Sequence, residues 1–261
     1  MATTTSKGPT GQVVPSVLRA GRILEALAAG PPTATLAELS RRLDMPRSST
    51  LAICNSLLEA GLLLRDADGA YRLGPQVLEL GRAYLGQTDL LSEFGRVTSE
   101  SGFLPAQTLI CSVLRGRDVV YVGRRPGASP LGVAYEIGLR LPAHCTASGL
   151  AMLSTLDEAE LDELYRDAGE LEQLTPSSIS TPAELRKRLA TVRERGYAVD
   201  DGETAAAMIC LGATVRDDAG AAVGAVAVSM PKGARSEAEL ADDADELRRL
   251  ADQISRGLGA P

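Results

Sequence analysis

The sequence predicts an α+β protein in two parts, an N-terminal winged helix-turn-helix followed by a linker helix and a larger C-terminal domain built on a mostly antiparallel sheet. Three observations lead there. Leu36 to Gly74 spells two short helices, a tight turn and a hairpin in that order. From Gln107 onward apolar residues adopt a strand period. Acidic and cap residues then open a series of charged helices between and after the strands.

The N-terminal part begins with an amphipathic helix, Val17 to Ala29, stopped by Gly30-Pro31-Pro32. Thr35 caps the next helix, whose Leu36, Leu39 and Leu43 share one face and leave Arg41 and Arg42 outside. Asp44-Met45 breaks the run, and Pro46 suits the first turn of a further helix because its missing N–H is no loss there. On that helix Leu51, Cys54, Leu57 and Leu58 are expected to form the inward stripe. Arg47, Ser48, Ser49 and Thr50 crowd its first turn, where base edges and phosphates come within reach of a recognition helix. Its middle positions hold Leu51 and Ala52, which can touch a thymine methyl but cannot hydrogen-bond a guanine. Gly61 ends the helix, and Asp66-Ala67-Asp68-Gly69 turns a hairpin carrying Arg65 and Arg72. Double-stranded DNA is the partner this layout implies. The alternative is a winged module used for protein–protein contact.

Gln76 to Leu85 reads as a linker helix, and Asp89 to Ser99 as the helix that opens the larger domain. Strands are expected at Thr108 to Leu114, Val119 to Gly123, Leu131 to Glu136, Tyr197 to Val199, Met208 to Val215 and Ala222 to Ser229. Helices are expected at Leu150 to Leu153, from Asp157, from Thr181-Pro182-Ala183-Glu184 with its capping box and N1 proline, and from Ser236 to Gly257. The resulting division is a loose tail over 1–13, a winged domain over 14–75, a linker helix over 76–87 and a larger C-terminal domain over 88–261.

A net charge of −7 is unusual for a DNA binder until it is divided along the chain. Residues 1–85 carry nine Lys/Arg against seven Asp/Glu, and the remainder eighteen against twenty-seven. Positive balance is confined to the winged part, and so mild an excess gives modest nonspecific affinity that a dimer would reinforce. No apolar run approaches the ~20 residues of a membrane helix, and Met1 to Gln12 lacks a signal core, so a cytoplasmic protein is expected. Cys54, Cys111, Cys145 and Cys210 show no paired spacing, which points to reduced thiols, with neither disulfide framework nor structural zinc. His144 beside Cys145 invites an enzymatic reading, but on an extended chain neighbouring side chains face opposite ways, and a structural histidine bonding its own turn is expected. A zinc site from His144, Cys145 and Cys210 has suitable donors but no supporting motif. Asp200-Asp201 is a candidate acid–base pair or a solvated turn, and no phosphate loop or nucleophile elbow accompanies it. No cofactor is implied.

Three further segments give the chain a family resemblance. Tyr71-Arg72-Leu73-Gly74 with Leu78-Glu79-Leu80-Gly81, Leu141-Pro142-Ala143-His144 with Thr146-Ala147 and Gly149, and Arg193 to Asp201 occur in the order found in the IclR-type bacterial transcriptional regulators. The chain resembles that family over residues 14–258. The resemblance implies a GAF/PAS-like ligand-sensing domain, a small-molecule effector, and a homodimer or dimer of dimers paired through its first and linker helices. It places Val133, Ala147, Ser148, Asp200, Met208, Cys210 and Ser229 around the effector, with an anion favoured at the start of the helix after His144. Ala227 replaces a serine common in that family, which implies a different effector contact. Leu51 and Ala52 replace His and Arg, which leaves operator choice to Arg47, Ser48, Ser49 and the wing.

Overall fold

The computed structural model describes residues 13–86, 89–128 and 135–260. They form two compact units, one ending at Leu85 and one starting at Gly86.

In the first unit α1 (Pro15–Ala29), α2 (Leu36–Leu43) and α3 (Arg47–Glu59) precede the hairpin β1 (Leu63–Arg65) and β2 (Tyr71–Leu73), and α4 (Gln76–Gly86) follows. Thr35 and Glu38 close a reciprocal capping box that fixes where α2 begins. Asp44 takes a left-handed conformation at the end of α2 and turns the chain into α3. Ala34 bridges Tyr71 through both its backbone groups, tying the segment before α2 to the hairpin. Ile23, Leu27, Leu39, Ile53, Cys54, Leu57, Leu63 and Tyr71 make the core.

Pro46 is the cap of α3, one residue earlier than the expected first helical position. The buried face of that helix is Thr50, Ile53, Cys54 and Leu57, while Leu51 is 39% exposed, so the expected inward place of Leu51 is corrected. These four fall at i, i+3, i+4 and i+7, one side of a 3.6-residue period.

The second unit opens with α5 (Asp89–Glu100), and among the described residues it carries six antiparallel strands in the order β5-β4-β3-β8-β7-β6. These are β3 (Thr108–Arg115), β4 (Asp118–Arg125), β5 (Arg140–Pro142), β6 (Ala198–Asp201), β7 (Met208–Arg216) and β8 (Ala222–Pro231). The strand expected at Leu131 to Glu136 lies largely outside the described residues, as does Val133. Tyr135 and Glu136 are not in a strand. The edge is supplied by the short β5, where Pro142 costs little because an edge strand has a side without pairing partners.

Alternation of side chains divides the sheet into two cores. Leu109, Cys111, Leu211, Val215, Val226, Val228 and Met230 face α5 and α9 (Glu237–Gly257). Ile110, Val119, Tyr121, Ala198 and Ala225 belong to a second cluster with α6 (Ala147–Leu153), α7 (Glu158–Tyr165) and α8 (Pro182–Arg195). Capping boxes at Asp157/Glu160, Thr181/Glu184 and Ser236/Glu239 start three of these helices where the sequence places them. Among the described residues no helix is long and apolar enough to cross a membrane.

Candidate functional site

On the winged unit, α3 presents Arg47 and Ser48 to solvent, with Ser49 half-buried. Thr50 is fully buried, and its hydroxyl donates to the Pro46 carbonyl at 3.1 Å. It is therefore a packing residue and cannot reach DNA, which corrects its expected place among the contacts. Arg41 is exposed on α2. At the wing Arg72 pairs with Asp66 at 2.9 Å, while Arg65 donates to the Gly69 carbonyl at 3.2 Å and lies 5.5 Å over the Tyr71 ring. Both guanidiniums brace the hairpin while staying exposed. Asn55, one turn beyond Leu51 on the same exposed face, is an amide suited to adenine that sequence reading passed over. The i, i+4 spacing from Arg47 through Leu51 was the available signal.

The second site follows from sheet register. Asp200 on β6, Cys210 on β7 and Ser229 on β8 stand abreast, with Thr108 of β3 next in the row. The adjacent row is Ala198, Gly212, Ala227 and Ile110. Three small residues in succession let α6 descend onto the sheet. At Gly212 a Cβ would collide with the Ala147 carbonyl and stand 2.8 Å from the Ser148 nitrogen, so only glycine allows this approach. Thr146 caps α6 by accepting from Gly149 N–H at 3.0 Å. The start of α6 is thereby brought over the Asp200 row.

Between them lies a small cavity of about 10 Å3, room for about one water molecule. Its wall includes five of the expected residues, Ala147, Ser148, Asp200, Cys210 and Ser229. It also includes Ala227, where the resemblance implies an altered effector contact, and Ile110, Tyr121, Tyr135, Thr146 and Thr204, which the sequence does not assign to it. Register could have found Ile110 once β3 was paired with β8; nothing local ties Tyr121 or Tyr135 to Asp200. Met208 is buried at the first position of β7, opposite Pro231, and is absent from the cavity wall. Larger grooves exist, one of about 290 Å3 beside Arg193. Arg193 there already donates to the Ser154 and Leu156 carbonyls. Convergent buried polar groups distinguish the smaller cavity.

Asp200 is 1% exposed and accepts from the Glu203 and Thr204 amides at 2.6 and 3.2 Å. It is therefore no solvated turn, although Asp201 beside it is exposed and pairs with Lys232 at 2.9 Å. Burial raises the Asp200 carboxyl above the ordinary range, against the pull of its hydrogen bonds. Cys210 and Ser229 lie 3.2 Å apart, Sγ to Oγ. Burial, reinforced by Asp200, raises the Cys210 thiol, and burial raises both tyrosine phenols. Tyr121 and Tyr135 stand with ring centroids 6.1 Å apart.

Residues 143–145 form a single 3₁₀ turn rather than an extended chain. His144 Nε2 and Cys145 Sγ consequently reach the same carbonyl, that of Glu172, at 2.8 and 3.6 Å. The histidine is structural, but its bond anchors the loop after α7 and not its own turn. Among the described residues no group of three His, Cys, Asp or Glu side chains is arranged to hold a metal ion.

Comparison with known proteins agrees with this architecture along its length. The model of the IclR helix-turn-helix domain matches residues 16–67, and that of the bacterial transcriptional regulator IclR C-terminal domain matches residues 82–256. The HTH-type transcriptional repressor AllR of Salmonella typhimurium is 30% identical over 253 residues, covering 96% of this chain and 93% of its own. Among solved structures, the Agobacterium tumefaciens repressor BlcR is 37% identical, with 96% and 100% of the two chains covered and a TM-score of 0.63. An IclR homologue from Microbacterium hydrocarbonoxydans, complexed with 4-hydroxybenzoate, shares the fold at 23% identity, covering 93% and 98% with a TM-score of 0.72. The winged unit, the antiparallel sensing domain and these matches together place the chain in the IclR family of bacterial transcriptional regulators.

Proposed function

We propose that this regulator is gated by a small carboxylate or aromatic metabolite bound in the cavity over Asp200, Cys210 and Ser229. The observation that carries the reading is the register row itself, which gathers a carboxyl, a thiol and a hydroxyl from three strands into one enclosed space. In this conformation the cavity has room for about one water molecule, so an organic acid enters as the wall around Asp200 parts. Two tyrosine rings supply an apolar wall with hydroxyl tips. Asp200 is raised by burial toward its neutral form, in which it donates to an acid's oxygen.

In this reading residues 14–75 bind operator DNA, 76–87 link, and 88–261 sense. Arg41, Arg47, Ser48, Ser49, Arg65 and Arg72 are the proposed DNA contacts, with Asn55 added and Thr50 removed. The protein acts as a homodimer or dimer of dimers on a pseudo-palindromic operator with half-sites about one helical turn apart. Exposed apolar side chains on α1 (Val17, Leu18) and α4 (Leu78, Leu80) support pairing through those helices. Effector and operator change each other's affinity by the same factor.

The test is a DNA shift assay on the promoter beside the protein's own gene, over a salt series, with 4-hydroxybenzoate and a panel of small carboxylates. Retention altered by one acid supports the reading. Retention that no acid alters removes the effector class, and no retention at any salt points to a protein partner for the winged unit.

A further inference from the structure

Behind the effector cavity the turn that follows β6 is pinned from several directions. Glu203 N–H and Thr204 N–H donate to Asp200, and the Thr204 hydroxyl donates to the Cys145 carbonyl at 2.7 Å. The loop preceding α8 holds the other side: Thr175 donates to the Gly202 carbonyl at 2.6 Å and Ser178 to the Glu203 carbonyl at 2.7 Å. Into this frame Glu203 inserts a carboxylate that is 1% exposed. Its Oε1 meets Arg188 of α8 at 2.7 Å, while its Oε2 is buried without a hydrogen-bond partner.

A carboxylate with one satisfied oxygen is an expensive group to bury in its charged form. The charged and titratable groups around it are Arg188 from α8, Asp200 and Asp201 from β6 and Cys145 from the 3₁₀ turn. Lys232, at the end of β8, is already committed to Asp201. Arg188 favours the ionised form, and the two aspartates oppose it. Burial first, then Asp200 and Asp201, outweigh Arg188 and move the Glu203 carboxyl up to about 7.

We propose that Glu203 is a positioning residue that makes closure of the 200–204 turn, and so the seating of Asp200 and Thr204 in the cavity wall, depend on a proton at its buried carboxyl. The significance for regulation rests on the effector reading above; the closure itself does not. When the turn opens, Glu203 meets water and its carboxyl returns to about 4.5, the ordinary value. The closed turn therefore binds the proton more tightly than the open one. Closure is favoured at lower pH and loosens as pH rises from about 4.5 to about 7, beyond which it levels off. By linkage, an anionic effector beside Asp200 draws a proton onto this pair, and lower pH strengthens its binding.

The experiment is hydrogen exchange of the full-length protein, followed by mass spectrometry of peptides covering 198–207, at pH 5.5 to 8.5 with the intrinsic exchange rate divided out. Between those limits full exposure of Glu203 on opening changes the closing equilibrium by about 30-fold. Protection of these peptides in the unmodified protein should fall by about that factor. In Glu203→Gln the same peptides should vary less than twofold. Arg188→Gln retains the acid, removes a group that lowers it, and should move the midpoint to higher pH. A flat profile in the unmodified protein overturns the proposal, as does a dependence that survives Glu203→Gln. If that variant fails to fold, a midpoint unmoved in Arg188→Gln overturns it. No effector or DNA enters the measurement, so failure of the effector reading shows instead as acid-independent DNA retention.

Discussion

Gly212→Ala is the substitution that tests the cavity most directly, because one methyl group is placed where β7 and α6 touch backbone to backbone. The added Cβ falls 2.8 Å from the Ser148 nitrogen and closer still to the Ala147 carbonyl, whereas ordinary contact begins at 3.4 Å. Neither obstacle is a side chain that can rotate away, so α6 must retreat by about 1 Å. Overpacking of this kind costs roughly 1–3 kcal/mol, and a rigid obstacle puts the cost near 3 kcal/mol. For a unit of this size, ~2–4 °C of melting temperature per kcal/mol gives a loss of about 6–12 °C. The control is Gly95→Ala in α5 of the same unit, where a Cβ meets nothing within 4 Å. It should gain about 0.5–1 kcal/mol from the lower backbone entropy of alanine. Thermal unfolding followed by circular dichroism reads both. The first variant should also lose its response to effector, because the start of α6 is displaced from the Asp200 row, while operator retention persists through the separately cored winged unit. Equal melting temperatures for the two variants would refute the close approach.

Arg47→Ala should weaken operator binding and lower its salt slope by about one. Thr50→Ala should instead cost stability, about 1 kcal/mol in the melting of the winged unit, with the affinity of the folded protein for DNA unchanged. Ser229→Ala and Asp200→Asn should shift the dose–response to a bound acid and spare DNA retention without it; unchanged curves for both would remove the cavity from the mechanism. All four cysteines are buried and free. Burial raises Cys54 to about 11 and Cys111 to about 12. Ellman's reagent should therefore find fewer than one reactive thiol per folded chain and four after denaturation, and rapid reaction of several thiols in the native protein would contradict the packing.

Elements announced by local chemistry were readable in the sequence. A cap residue with an acid three positions later needs no tertiary partner, which is why the starts at Thr35, Asp157, Thr181 and Ser236 agree with their helices. The face of α3 was legible in principle, since positions 50, 53, 54 and 57 keep the helical period. A threonine at the first of them disguised the frame and promoted Leu51 inward. The edge strand Arg140–Pro142 has no alternation to betray it and exists because β4 offers a pairing edge. The cavity was half visible. Asp200, Cys210 and Ser229 follow from motif likeness, but what makes them neighbours is register across three strands, and Tyr121 and Tyr135 enter through contacts distant in sequence.

The same placement limits the chemistry open to the Cys, Ser, Asp and His side chains of this constellation. A cysteine acts as a nucleophile through its thiolate, yet burial and Asp200 both disfavour that form at Cys210. Burial likewise raises Cys145. The base such a thiol would need is committed elsewhere: His144 Nε2 is bonded to the Glu172 carbonyl, in the loop that continues to Thr175 and Ser178. Ser229 faces a thiol, which is no general base while protonated. Asp200 spends one oxygen on two backbone amides and so holds its own turn closed. Each reactive group is thus fixed in a form that recognises, and the turn that Asp200 holds is the one that Glu203 and Arg188 brace from behind. In the proposed mechanism a ligand that changes the charge beside Asp200 alters the balance of that turn, and this is the route by which occupancy of the cavity would move the backbone around it.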